Sequence, residues 1–209
     1  MSWREMNWFV LRIDWTHDND EEDMGINRIS KIPSEDKVLA LLAMRLDENL
    51  YTAFVPKKAY PHIKKGKLIN VELKTLFPGY VFIATPKDER FVLMNTKKTL
   101  ERINGVHFFL SYKDGFFDGV HQKSEFVMRE YERNNLARLM NDEFIVDYSK
   151  GYIEGDRVRI ASGPFEGCEG LIKKVNRRKM TAIVSMENLF GGGRADMTIM
   201  LEIVEKANL

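Results

Sequence analysis

The chain has 209 residues, 44% of them hydrophobic, which is enough to bury a real core and excludes disorder throughout. Lys and Arg number 32 against 31 Asp and Glu, so no global field draws the molecule onto nucleic acid and any such binding has to come from local clustering. The single Cys168 excludes an intramolecular disulfide. No apolar run approaches a membrane span, and the N-terminal residues carry no signal-peptide pattern, so the chain is expected to be cytoplasmic.

Residues 7 to 13 are aromatic and β-branched and have the length of a strand. An acidic stretch at 14–33, with Asp14, Asp18, Asp20, Glu21, Glu22 and Asp23, reads as a solvated loop or insertion. Ser34 then caps a predicted helix at 34–47, with Glu35 and Asp36 in its first turn and Val38, Leu41, Leu42 and Leu46 at helical spacing. A strand at 50–55 ends at Pro56. The lysines 57, 58, 64, 65 and 67 around Gly66 follow as a hairpin tip. Runs at 68–73 and 80–84 bracket Leu76-Phe77-Pro78-Gly79, where Pro and Gly bend the chain. A helix at 88–103, a strand at 106–112 and a helix from Ser124 to Met140 complete a first domain that mixes helices with a mainly antiparallel sheet.

The first domain is expected at 1–141, a short linker at 142–150 and a second domain at 151–209. In the latter, Gly155, Gly163, Gly167, Gly170 and Gly191 to Gly193 punctuate strand-length runs, the pattern of a small barrel. Val158 and Ile160 alternate with Arg157 and Arg159, and Met180, Ala182 and Val184 alternate likewise, so each strand has one core face. The fold class is therefore α+β.

The segment from Gly155 to Gly170 resembles the KOW motif. Gly163-Pro164 makes its tight turn, Phe165 anchors it, and Gly170 is expected to admit close backbone approach. Trp8-Phe9-Val10-Leu11, Leu76-Phe77-Pro78-Gly79-Tyr80-Val81-Phe82 and Ile103-Asn104-Gly105-Val106 resemble, in order, the N-terminal domain of the NusG transcription elongation factors. The resemblance implies a NusG-type α/β sandwich followed by an SH3-like KOW barrel. The acidic insertion, the short linker and the expanded Asn188-Leu189-Phe190-Gly191-Gly192-Gly193-Arg194 tip depart from the general factor. With the basic turn, they resemble the LoaP subfamily of antiterminators.

The resemblance implies that an aromatic patch around Phe77 and Tyr80 packs on the clamp helices of RNA polymerase. Trp8 and Phe9 point to opposite faces of their strand, so one is expected in that patch and the other in the core. Thr96, Lys97, Lys98 and Thr99 fall where a specialised branch of the family touches the opposite polymerase jaw; the plainer alternative is an exposed first helical turn. Lys173, Lys174, Arg177, Arg178 and Lys179 crowd one strand-turn-strand segment and, with Arg157, Arg159 and Arg194, are the candidate RNA-binding residues. The alternative is a solvated turn, since residues 151–209 hold nine basic and eight acidic residues. Leu189 and Phe190 correspond to the tip through which the general factor recruits a ribosomal protein or Rho; Phe190 can instead close the barrel, and the three glycines that follow change the shape of that tip.

No catalytic set is expected. His17, His62, His107 and His121 have no partners at zinc spacing, and the glycine run lacks the Gly-Lys-Ser/Thr ending of a phosphate loop. Cys168 is expected as a small buried hydrophobe. The three readings are a monomeric antiterminator recruited by structured nascent RNA, a general factor coupling polymerase to ribosome or Rho, and a ribosomal-type RNA-binding module. None needs a cofactor or a metal.

Overall fold

The structure, a computed structural model, describes residues 2–13, 35–100, 102–103, 106–113, 124–190 and 193–205, without the side chains of Lys97, Lys98, His107, Phe108, 112–113, 124–125 and Asn188. The acidic stretch 14–33, Ser34, Asn104, Gly105, Gly191 and Gly192 lie outside the described residues. The elements run β1 (Asn7–Ile13), α1 (Glu35–Arg45), β2 (Thr52–Phe54), β3 (Lys57–Lys64), β4 (Lys67–Thr75), β5 (Tyr80–Thr85), α2 (Glu89–Leu100) and β6 (Val106–Phe109). They continue through β7 (Tyr112–Lys113), β8 (Ser124–Glu125), α3 (Glu130–Ala137), β9 (Ile145–Val146), β10 (Ser149–Glu154), β11 (Arg157–Ser162), β12 (Ile172–Asn176), β13 (Thr181–Leu189) and β14 (Gly193–Ile203). Contacts group the chain into two units, Met1–Val55 with Phe77–Met128 and Pro56–Leu76 with Arg129–Leu209.

The first unit is built on an antiparallel sheet in the order β2-β5-β1-β6. Side chains alternate across a strand, so Phe9 and Leu11 share one face with Val81 and Ile83, which lie opposite them in register. Val38 and Leu42 of α1 and Val92 and Leu100 of α2 close that face into a core. The other face carries Trp8, Phe54 and Phe82, with Trp3 stacked on Trp8 at 5.5 Å and Phe77 beside Phe82 at 6.1 Å. The indole N–H of Trp8 donates to the Trp3 carbonyl at 2.8 Å, so burial leaves no orphan donor there. At the Pro78-Gly79 bend the Tyr80 N–H donates to the Phe77 carbonyl and the Ile13 N–H to the Gly79 carbonyl, as the sequence predicts for a turn.

The helix predicted from Ser124 to Met140 is shorter than expected. Ser124–Glu125 instead pair with Tyr112–Lys113, Val127 bridges Phe9, and the helix begins only at Glu130. The cause is a set of long-range partners: the Phe126 N–H donates to Glu89 Oε2 and the Met128 N–H to the Trp8 carbonyl, which holds this run extended. The basic stretch after Pro56 is likewise more than a tip. Lys57–Lys64 is a full strand paired with β4 and, at Lys57 and Lys58, in parallel with β9.

The second unit holds a five-stranded sheet in the order β11-β10-β14-β13-β12, with β10 parallel to β14 and the other pairs antiparallel. The sheet curls in the manner of an SH3-like barrel. Ala182, Val184 and Met186 alternate along β13 and Met197, Ile199 and Leu201 along β14, all buried, and Ile160, Phe165 and Leu189 join them. The Gly163-Pro164 turn forms as expected, with the Glu166 N–H donating to the Gly163 carbonyl and Phe165 only 1% exposed. Gly170 does not have its expected role, because a Cβ there would meet nothing within 4 Å. The demanding positions are Gly151, where a Cβ would lie 2.5 Å from the Arg159 carbonyl oxygen, and Gly163, at φ +102°, where a Cβ would lie 2.7 Å from Ser149 Cα and the Tyr148 carbonyl. Residues 142–150 carry β9 and the start of β10. No helix among the described residues is long and apolar enough to cross a membrane.

Candidate nucleic-acid interface

The basic residues of the second unit are positioned by three backbone devices. Alternation along β11 buries Ile160 and leaves Arg157 and Arg159 exposed. A bulge between Ile172 and Lys174 makes Lys173 the extra residue of β12 and re-aims its side chain. The third device is a 3-10 turn at Arg177–Lys179, which opens with Asn176 Oδ1 accepting the Lys179 N–H at 3.0 Å and closes with Met180 in the left-handed region at φ +49°. All three side chains of that turn are exposed.

β11 and β12 are the two edges of the sheet, and its curl brings them to the walls of one open groove of about 660 Å³. Arg157, Arg159, Lys173 and Lys174 line it, as does Glu169. Glu169 Oε1 accepts the Ile160 N–H at 3.1 Å, and its carboxyl is held below the usual glutamate range by its own backbone N–H, by that of Ile160 and by the Arg159 charge. The carboxylate therefore works on the backbone of the wall.

Electrostatics divides the eight candidate cations. Lys173 Nζ contacts both carboxylate oxygens of Asp196 at 2.6 Å. Arg194 Nε donates to Ser185 Oγ at 2.6 Å and lies 3.9 Å from the same aspartate. Asp196 is held below the usual aspartate range, first by the Lys173 hydrogen bond, then by Ser185, with the Lys173 and Arg194 charges adding. Arg159 pairs with Glu154 at 3.5 Å. Among the described residues Arg157, Lys174, Arg177, Arg178 and Lys179 have no carboxylate within ion-pair distance, so five cations are exposed without a close ion pair, although Asp156 also lines the groove beside Arg157.

Two further grooves adjoin the first. One of about 320 Å³ includes Arg138, Lys173, Glu187 and Arg194, and the other, of about 250 Å³, includes Lys174, Asn176, Lys179 and Tyr60 of β3. The sequence reading did not single out Tyr60. The available signal is an aromatic interleaved with lysines at 57–67, a combination suited to nucleic acid. Arg138 Nη2 donates to the buried Cys168 sulfur at 2.9 Å, so the cysteine packs as expected and has a cation beside it.

The other candidate residues divide by burial. Trp8 and Phe9 do point to opposite faces, but both are fully buried, and Phe77 is 6% exposed. Tyr80 is half-buried. Thr96 is buried and its hydroxyl donates to the Val92 carbonyl at 2.6 Å; Thr99 is half-buried, and the Thr96–Thr99 run lies in the closing part of α2 instead of a first turn. The side chains of Lys97 and Lys98 lie outside the described residues. Leu189 is 2% exposed and closes the barrel, whereas Phe190 is half-buried at the β13–β14 tip with φ +52°.

An α+β unit on an antiparallel sheet, together with a small barrel whose edges line an open groove, defines the class: a two-unit α+β protein with an SH3-like barrel. A family model described as "Transcription termination factor nusG" matches residues 30–136, and one for the KOW motif matches 154–187. The "Transcription termination/antitermination protein NusG" of Staphylococcus carnosus (strain TM300) is 26% identical over 148 residues, which cover 69% of this chain and 73% of the relative. The protein of that name from Thermus thermophilus is 23% identical over 162 residues, covering 74% and 85%. The chain belongs to the NusG family of transcription factors.

Proposed function

We propose that the chain is a specialised NusG-type elongation factor, a processive antiterminator of the LoaP kind, which holds RNA polymerase through its first domain at 1–141 and a structured nascent RNA through its KOW domain at 151–209. The observation that carries this reading is the set of five cations without carboxylate partners, gathered along the groove and the 3-10 turn of the barrel. Such a set neutralises several phosphates, and arginine planes also stack on bases opened at a loop. Polymerase binding follows from the family, with Tyr80 the most accessible of the patch residues and the Thr96–Thr99 run a second contact. A factor that holds two sides of the polymerase cleft favours its closed form over the open states that pausing and termination require. Differential binding between the two forms is then the mechanism.

The test is a salt titration of the full chain against a hairpin RNA from the leader of its own or a neighbouring operon, with a scrambled single strand alongside. Affinity for the hairpin falls steeply with salt. Arg177→Ala with Arg178→Ala shallows the slope of log K against log salt by about 1.5, at roughly 0.7 to 0.9 per phosphate contact, and narrows the preference for the hairpin. A hairpin bound no better than the scrambled strand would overturn the antiterminator reading in favour of a general elongation factor.

A further inference from the structure

The hairpin of β3 and β4 brings an aromatic ring to the barrel's basic surface. Tyr60 stands in β3, half-buried, and lines the groove of about 250 Å³ together with Lys174, Asn176, Lys179 and Ile183. Lys74 Nζ lies 3.9 Å from the centroid of the Tyr60 ring and occupies one of its faces. A planar ligand stacking on Tyr60 must take the other.

Each neighbour supplies something a nucleotide needs. Ile183 adds an apolar surface. Asn176 already spends its carbonyl oxygen on the Lys179 N–H, which fixes the amide and leaves its NH₂ as a donor for a base edge. Lys174 and Lys179 are cations without a carboxylate partner among the described residues, placed for the flanking phosphates. Lys174 also lines the larger groove with Arg157 and Arg159, so one phosphate path runs from that groove to the ring. An aromatic platform flanked by cations takes an unpaired base, because every base has a π-face; a base inside a stem is stacked on its neighbours and has no face to offer.

We propose that the Tyr60 groove receives one unpaired base of the RNA, from a loop or bulge next to the stem held by the basic turn. The inference rests on the RNA-binding reading above and makes the two readings separable. Phosphate cations set the salt slope, whereas Tyr60 sets the preference for RNA with an unpaired nucleotide.

The experiment uses the full chain and two probes: a hairpin RNA carrying 2-aminopurine in its loop, and a fully paired duplex of the same stem. Wild-type protein quenches the 2-aminopurine on binding. Tyr60→Ala abolishes the quenching, weakens hairpin binding by about 5- to 150-fold, the range of one lost base stack, and leaves duplex affinity and the salt slope unchanged. Tyr60→Phe keeps the stacking and binds within a few-fold of wild type. Duplex binding by Tyr60→Ala also reports that the variant is folded. Absence of quenching in the wild type, or wild-type hairpin affinity in Tyr60→Ala while the Arg177 and Arg178 double variant is weakened, overturns the base site and leaves RNA binding standing. Loss of all salt-dependent RNA binding in the wild type overturns both.

Discussion

Gly163 is one of two glycines among the described residues of the second unit, with Gly151, that leave no room for a Cβ, and it alone of the pair also has a positive φ. Its φ of +102° is strained for any L side chain, and an added Cβ would meet backbone of Ser149 and Tyr148 at 2.7 Å, atoms that cannot swing aside. Gly163→Ala should cost about 2–4 kcal/mol from strain and overpacking together, measured by urea denaturation of the full chain; an unchanged midpoint would contradict the geometry. Asp196 gives a residue-scale prediction of a different kind. Its carboxyl titrates below the usual aspartate range chiefly because of Lys173, so Lys173→Ala should raise its value in an NMR titration more than Arg194→Ala does. Because the folded value is depressed, the stabilising contribution is present above the ordinary aspartate range and disappears as pH falls through the folded value. The role of Phe165 and the turn at Gly163-Pro164 were legible in the sequence, since a turn signal and an apolar anchor are local. The misplacement of the tight spot at Gly170 has a physical origin: close approach depends on which strand passes behind the residue, and here that is the chain at Tyr148 and Ser149, distant in sequence.

Among the elements, β13 and β4 stand at opposite ends of a stability scale. β13 is paired on both sides and buries Ala182, Val184 and Met186. β4 is the edge of its sheet and leaves Leu68, Ile69, Val71 and Leu73 between 42% and 59% exposed, with Lys67 and Lys74 at its ends guarding against pairing with other chains. Native-state hydrogen exchange should find the slowest amides in β13 and fast exchange at the β4 amides that point away from β3; equal protection in the two strands would refute this ranking. β1 and α1 were legible because strand composition and helical periodicity are written locally. β3 was not, because Pro61 and six lysines across the hairpin argue against a strand until its pairing with β4 is known. The helix beginning at Ser124 failed for the reverse reason: a plausible cap was outweighed by hydrogen bonds from Phe126 and Met128 to residues far upstream.

At the scale of the whole chain, the glycine spacing and alternating strands of the barrel could be read directly, whereas the assignment of Pro56–Leu76 to the second unit could not. That assignment depends on β3 meeting β9 and β14, partners that lie far along the chain from it. The excursion begins and ends at adjacent points: the Leu76 N–H donates to the Pro56 carbonyl at 2.7 Å, while β2 and β5 on either side of it pair directly at Phe54 and Phe82. The first unit's sheet is therefore complete without the hairpin, and closing the gap costs only the entropy of a short loop. The hairpin is in effect a cassette. Its length and its aromatic residue can be altered without breaking a strand pair of the first unit's sheet, so the base site proposed above can be retuned while that sheet stays the same.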